Sequence, residues 1–173
     1  MWENTYKALK EYGDSLRDAY KDNLMANDRY ASGDLVNSIK VEIESGEREW
    51  TVYLELADYW KYVEFDTAPH FPPLDAIKRW IEIKPVHALP DGRGRIPTPD
   101  QLAFLIGRAM AGLSPNQSQL KNPQGGTTGT HDLENAQDKV IPWFEEHIVE
   151  AVLDDIVGDI DTILEYYFPR LPQ

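Results

Sequence analysis

The chain has 173 residues and 19.8 kDa, 42% apolar and 27% charged, which suffices for one domain with a core and excludes global disorder. Its net charge of -13 and pI near 4.6 mean that the surface as a whole repels free nucleic acid, so any contact with it needs a local basic patch. Cysteine is absent, which removes disulfides, thiolate nucleophiles and cysteine-bound zinc and fits a reducing compartment.

The opening residues MWENTYKALKEYGDSL lack the apolar core of a signal peptide. The longest apolar runs fall far short of the roughly 20 residues that span a bilayer. A soluble protein made in a cytoplasm is expected, with no membrane segment.

In chain order, residues 2 to about 26 predict an amphipathic helix. Trp2, Tyr6, Leu9, Leu16, Tyr20 and Leu24 recur at three, four or seven, which places them on one stripe. Gly13 interrupts that stripe at a cost of roughly 1 kcal/mol relative to alanine. Ser32, Gly33 and Asp34 offer an N-cap for a short helix through Leu35, Val36 and Ile39. Two strands follow. Val41 and Ile43 alternate with acids, Ser45-Gly46 supplies turn residues, and Trp50, Val52, Leu54 and Leu56 alternate with Thr51, Tyr53 and Glu55. This predicts an antiparallel hairpin with one buried face.

The segment ADYWKYVEFDTAPHFPP, 57 to 73, is crowded with aromatics. Tyr59, Trp60, Tyr62 and Val63 suit one or two helical turns, halted before Pro69. Its aromatics fit a catalytic pocket, a corner that presents a helix to neighbouring molecules, or ordinary core packing. Leu74, Ile77 and Ile81 predict a helix, with Pro72 and Pro73 at its start, where missing N–H groups cost little, and Pro85 at its end. Residues 85 to 97 form a loop. Thr98-Pro99-Asp100 signals the start of an apolar helix through Leu102, Ala103, Leu105, Ile106, Ala109 and Met110. Residues 113 to 130 are polar and glycine-rich, and predict a mobile loop. A long helix is expected from Val140 to about Phe168, with Pro142 in its first turn. Phe144, Ile148, Val152, Ile156, Ile160 and Ile163 repeat along it, and its acids from Glu145 to Glu165 face only Arg170.

The residues that carry chemistry are few. His70, His87, His131 and His147 sit in no zinc-binding pattern, and Glu146, His147 and Glu150 would need further ligands. GGTTGT, Gly125 to Thr130, lacks the lysine of a phosphate-binding loop. Ser114 and Ser118 lack a nucleophile-elbow context. With 30 acids, carboxylate pairs carry no information. No metal, no cofactor and no catalytic residue is expected. Gly92-Arg93-Gly94-Arg95 is the one compact basic cluster beyond the first helix. It reads either as a solvated turn or as a docking loop for an acidic neighbour or passing DNA.

The order of segments carries a resemblance. An amphipathic helix, Ser-Gly-Asp-Leu-Val-Asn-Ser-Ile, a hairpin, and then Ala57-Asp58-Tyr59-Trp60-Lys61-Tyr62-Val63-Glu64-Phe65-Asp66-Thr67 before prolines is similar to the head–tail joining and tail-completion proteins of long-tailed bacteriophages. Leu102 to Arg108, Gly126 to Thr130 and Leu133 to Ala136 resemble the helix, glycine–threonine loop and final helix of some members. Three departures stand out. The helix after Val140 is longer than a minimal family member needs. Asp66 occupies a position where the family has glycine, which implies a different local backbone path, and residues 113 to 124 look like an insertion.

The resemblance implies an α+β fold. A small hairpin-based antiparallel sheet would pack with the N-terminal amphipathic helix and the long C-terminal helix in a single domain over 1–173. It implies a structural virion protein without enzymatic activity, forming a homo-oligomeric ring in the phage neck or tail after assembly in the host cytoplasm. Its partners would be neighbouring neck, portal or tail proteins, and DNA would pass through the ring without being specifically bound. Tyr59, Trp60, Tyr62, Phe65, Phe71, Arg93 and Arg95 are the candidate subunit-interface residues. The competing expectation is a non-viral α+β adaptor or binding module whose acidic helix meets a basic partner.

Overall fold

The computed structural model describes residues 2–27, 33–46, 49–84, 86, 88, 90, 92–113, 126 and 128–168. The fold is α+β: a two-stranded antiparallel sheet with a long helix near each end of the chain. Two compact units form, both discontinuous in sequence: 1–26, 38–56 and 132–173 in the first, 27–37 and 57–131 in the second.

In the first unit, α1 (Glu3–Ala26) pairs with α6 (Asp132–Tyr167). Asp155 binds the start of α1 while Asn23, near its end, donates to the carbonyl of Asp132 at 2.8 Å, so the two helices run antiparallel. The buried residues of α1 are Thr5, Ala8, Leu9, Gly13, Tyr20 and Leu24. The expected stripe is therefore corrected in its first half, where Trp2 and Tyr6 are exposed and small residues take the inner face. Small residues let a neighbour approach closely. Gly13 is the extreme case, since a Cβ there would lie 2.5 Å from Val41 Cγ1. Helix α1 runs unbroken through it.

The neighbour at Gly13 is the hairpin of β1 (Lys40–Ser45) and β2 (Trp50–Glu55), paired antiparallel with Val41 opposite Leu54 and Ile43 opposite Val52. The Gly46 N–H donates to the carbonyl of Glu49 at 2.8 Å and closes the turn. The alternation of the sequence survives, but full burial does not: Trp50, Val52, Leu54 and Leu56 are only half-buried. A two-stranded sheet with only α1 packed on its face leaves its margins open to water. Val41 and Val52 lie under Gly13, and the Trp50 ring packs at 5.9 Å on Tyr6, tilted by 54°.

Helix α6 starts at Asp132, well before the expected Val140, and Pro142 lies inside it rather than in its first turn. The real start has its own signals. His131 takes a positive φ of 52°, which histidine tolerates better than most residues and which ends any helix before it. Asp132 and Glu134 then put negative charge on the positive end of the helix dipole. The early turns supply core, with Ala136 fully buried and Val140 nearly so. Pro142 removes one internal hydrogen bond, and Phe144 two residues later packs at 4.5 Å on Tyr12 of α1.

Helix α2 (Asp34–Ser38), with Leu35 and Val36 buried, belongs to the second unit except for its last residue. Ser32, half of its expected cap, lies outside the described residues. The second unit holds α3 (Trp60–Glu64), α4 (Leu74–Ile83) and α5 (Pro99–Met110). Helix α5 begins as its sequence suggests. Thr98 and Gln101 form a reciprocal capping box, with Thr98 N–H donating to Gln101 Oε1 at 3.0 Å and Gln101 N–H to Thr98 Oγ1 at 3.3 Å. Helices α4 and α5 pack together, tied by Lys78 and Asp100 at 2.7 Å. Most of the expected 113–130 loop, with Ser114 and Ser118, lies outside the described residues, as do His87, Pro85 and Arg170.

Candidate functional site

The aromatic corner and the glycine–threonine loop, some sixty residues apart in sequence, are fastened together in the second unit. The corner starts when α3 ends at Phe65, whose extended backbone (φ −108°, ψ 157°) turns the chain away. The returning loop then runs against it. Thr130 N–H donates to the carbonyl of Val63 at 3.2 Å, and His131 N–H to the carbonyl of Glu64 at 3.2 Å. Gly129 N–H donates to Asp66 Oδ1 at 2.8 Å. Asp66 is not among the residues of positive φ, and its carboxylate forms the clasp.

Two glycines make the approach possible. At Gly129 a side chain would collide with the carbonyl oxygen of Glu64, and at Gly126 with that of Thr67. Gly126 also holds a φ of 77°, where side chains are strained. Its N–H donates to the carbonyl of Met110 at 2.6 Å, which joins the loop to the end of α5. Backbone rather than side chains forms these contacts, so nothing but glycine fits.

Around this clasp the candidate interface residues divide. Trp60 is half-buried and packs at 5.8 Å on Phe65, whose other edge meets His131 at 6.3 Å. Phe71 lies over α5, with Cζ 2.9 Å from the Cβ direction of Gly107 and its ring 5.9 Å from Phe104. These three pack within the corner, although Phe65 and Phe71 are 49% and 43% exposed and so keep outward area as well. Tyr59 (41% exposed) and Tyr62 (61%) keep large outward areas, with Lys61 Nζ 5.4 Å above the Tyr62 ring. Glu64, by contrast, is buried to 2% exposure beneath the corner.

Arg93 and Arg95 are exposed in the loop before α5. Arg95 lies at one end of an open groove of about 760 Å³ that continues over Ile96, Pro97, Phe104 and Leu105. Ile96, Phe104 and Leu105 are 68%, 47% and 49% exposed. Asp100 and Gln101 also line the groove; its arginine and aromatic are residues that protein interfaces favour, whereas the acid is one that they disfavour. The hydrogen bond and charge of Asp100 push the Lys78 ammonium above its ordinary range, which keeps it cationic at the α4–α5 seam.

The histidines separate. His70 Nδ1 lies 2.9 Å from the carbonyl of Ala68, His131 serves the clasp, and His147 stacks at 4.5 Å on Trp143. Among the described residues no group of three acids or histidines comes together that could hold a metal ion. No helix among them is long and apolar enough to cross a membrane.

One functional residue of the first unit escaped the sequence. Asp155 is buried to 9% and accepts from Thr5 N–H at 2.8 Å, Asn4 N–H at 3.1 Å and Asn4 Nδ2 at 3.0 Å. Burial alone would push this carboxyl up, but the hydrogen bonds from Thr5 and Asn4 outweigh it and hold the group below its ordinary range. Asp155 therefore caps α1 across the chain, and no local pattern distinguishes it from the other acids of α6. Compared with family models, curated proteins and solved structures, the chain matches none.

Proposed function

We propose that the protein is a structural ring component of the neck or tail of a long-tailed bacteriophage. It joins head to tail around the DNA channel without catalysing a reaction. The single observation that supports this most is the clasp. Two of the segments that carry the family resemblance, 57–67 and 126–130, meet through Gly129 on Asp66 and Thr130 on Val63, with the adjoining His131 on Glu64. A reading based on two separate short motifs gains weight when those motifs form one local structure.

The Arg95–Leu105 groove and the outward faces of Tyr59 and Tyr62 then meet the neighbouring subunit. The acids of α6 belong to surfaces that face solvent or the channel. A conduit must let a polyanion slide, so repulsion suits it better than phosphate contacts that would act as brakes. Electron microscopy of the purified protein tests the reading, with duplex binding measured beside it. Closed rings with a central opening are expected, together with no sub-micromolar duplex affinity at low salt. Particles that never close, or tight salt-sensitive DNA binding, would overturn it.

A further inference from the structure

From Ile156 to Phe168 every residue of the chain is exposed, although this stretch is helical to Tyr167. Ile160, Ile163, Leu164, Tyr166 and Tyr167 are between 49% and 79% exposed. Single exposed apolar residues are ordinary, but a contiguous strip marks an interaction site. Their spacing says what kind. Val149, Leu153, Ile156, Ile160, Ile163 and Tyr167 recur at four, three, four, three and four. That is the a/d repeat of a coiled coil, with Leu153, Ile160 and Tyr167 at a and Val149, Ile156 and Ile163 at d.

The seam begins where Glu146, the preceding a position, stops interrupting it. Helix α1 occupies the other side of α6, through Phe144 and Asp155, which fall at f and c. The packing within the first unit and the exposed seam therefore lie on opposite faces of one helix.

We propose that this seam pairs with the same seam of a second copy of the chain, in parallel and in register. The charges choose this occupant. A basic partner helix would be selected by acids at e and g, which flank a coiled-coil seam. Beyond Glu150, which holds the e position at the start of the seam, the e positions are Val157 and Leu164, and the g positions are Val152, Asp159 and Tyr166. The Asp159 carboxylate already accepts from Trp2 Nε1 at 3.0 Å. The remaining acids, Asp154, Asp161 and Glu165, sit at b and f and point away from the seam. Parallel pairing sets Asp159 near Leu164 of the other copy, whereas antiparallel pairing sets the two Asp159 side chains together. An anionic membrane is a poor occupant, because a helix that lies on one carries a basic polar face and this polar face is acidic.

The absence of cysteine makes the test direct. Single variants Ile160→Cys, at a, and Asp161→Cys, at b, are compared in the otherwise full chain under mild oxidation, with sedimentation of the unmodified chain at about 50 µM, where any tighter association exceeds half completion. Self-association is expected, with cross-linking at 160 at least about tenfold faster than at 161, because b faces away from the seam. Ile156→Asn with Ile160→Asn should abolish the cross-linkable pairing while helicity is retained. Equal cross-linking at both positions, a monomeric unmodified chain, or association untouched by the double asparagine variant would each overturn the proposal. The outcome is separable from that for the ring: closed rings without preferential cross-linking at 160 defeat the seam alone, and pairing at 160 without ring closure defeats the neck reading alone.

Discussion

Replacing Gly13 by alanine sets two effects of known size against each other. In the middle of a 24-residue helix, alanine is worth about 1 kcal/mol over glycine, because it costs the unfolded chain less freedom to lose. Against this, the new Cβ would lie 2.5 Å from Val41 Cγ1 and 3.2 Å from Val52 Cγ1. Valine is branched at Cβ and cannot swing a flexible end aside, so relief requires a poor rotamer or a shift of the hairpin. Overpacking of this kind costs about 1–3 kcal/mol. Steric cost should win, and Gly13→Ala should destabilise the chain by roughly 1 kcal/mol.

The decisive measurement is a double-mutant cycle with Val41→Ala. Removing Val41 Cγ1 leaves the Val41 Cβ at 3.7 Å from the new methyl, which is ordinary contact, and Val52 Cγ1 at 3.2 Å, which has to give by only a few tenths of an ångström. In that background the helix preference prevails, and Gly13→Ala should stabilise by up to about 1 kcal/mol. Urea denaturation followed by circular dichroism reads both legs. If Gly13→Ala raises stability equally with and without Val41, the hairpin does not lie on α1 at this point and the packing argument fails.

Asp155→Asn should cost about 1–2 kcal/mol, since the amide nitrogen cannot accept the helix-end N–H groups. Because the folded carboxyl is held below its unfolded value of about 3.9, its contribution is present above that pH and is lost as pH falls through the depressed value; the variant should show a shallower loss on acidification, and identical acid slopes would exclude the cap. Gly129→Ala should cost on the order of 2–4 kcal/mol, because its methyl meets the Glu64 carbonyl rather than a movable side chain; an unchanged thermal midpoint would show that the clasp does not hold. Arg93→Glu with Arg95→Glu should weaken ring formation by size-exclusion and leave duplex binding as poor as before. A large fall in DNA affinity in that variant would instead make the loop a DNA contact.

The elements legible in the sequence were those whose signals are local. The capping box at Thr98 and the alternation around Gly46 name their structures because the interacting residues are neighbours in the chain. The start of α6 was misplaced for the same reason: Pro142 is a strong local mark, whereas His131 and Asp132 acquire meaning only once the loop has met the corner. A stripe of large apolar residues predicted the face of α1, yet the buried side includes Thr5, Ala8 and Gly13, where closeness of approach counts for more than hydrophobic area. The candidate site shows the same division. Aromatics flagged the corner, but whether Phe71 faces a neighbour or lies on Gly107 depends on a helix thirty-odd residues downstream. The heptad seam was present as a spacing, half-visible in Ile156, Ile160 and Ile163, and exposure alone separates it from core.

Helix α6 carries the most exposed apolar strip and the densest acids together, and the two features have opposite responses to salt. Across a parallel seam the acids at b and f of two copies point outward from helices about 10 Å wide, a separation comparable to the screening length of about 8 Å at physiological ionic strength. Their repulsion is therefore weak with the seam closed and strong only when acidic faces approach head on. The acids bias orientation without forbidding contact. Added salt removes the residual repulsion and leaves apolar burial intact, so pairing at the seam should tighten as salt rises from low concentration to about 0.5 M. The contact expected of Arg93 and Arg95 with an acidic neighbour behaves the other way, because its attraction is what salt screens. Sedimentation across a salt series therefore resolves the two surfaces without any substitution: a seam-linked species grows and a ring-linked species recedes. If association at α6 weakened with salt, the seam would be held by charge rather than by its apolar residues, and the heptad assignment would be wrong.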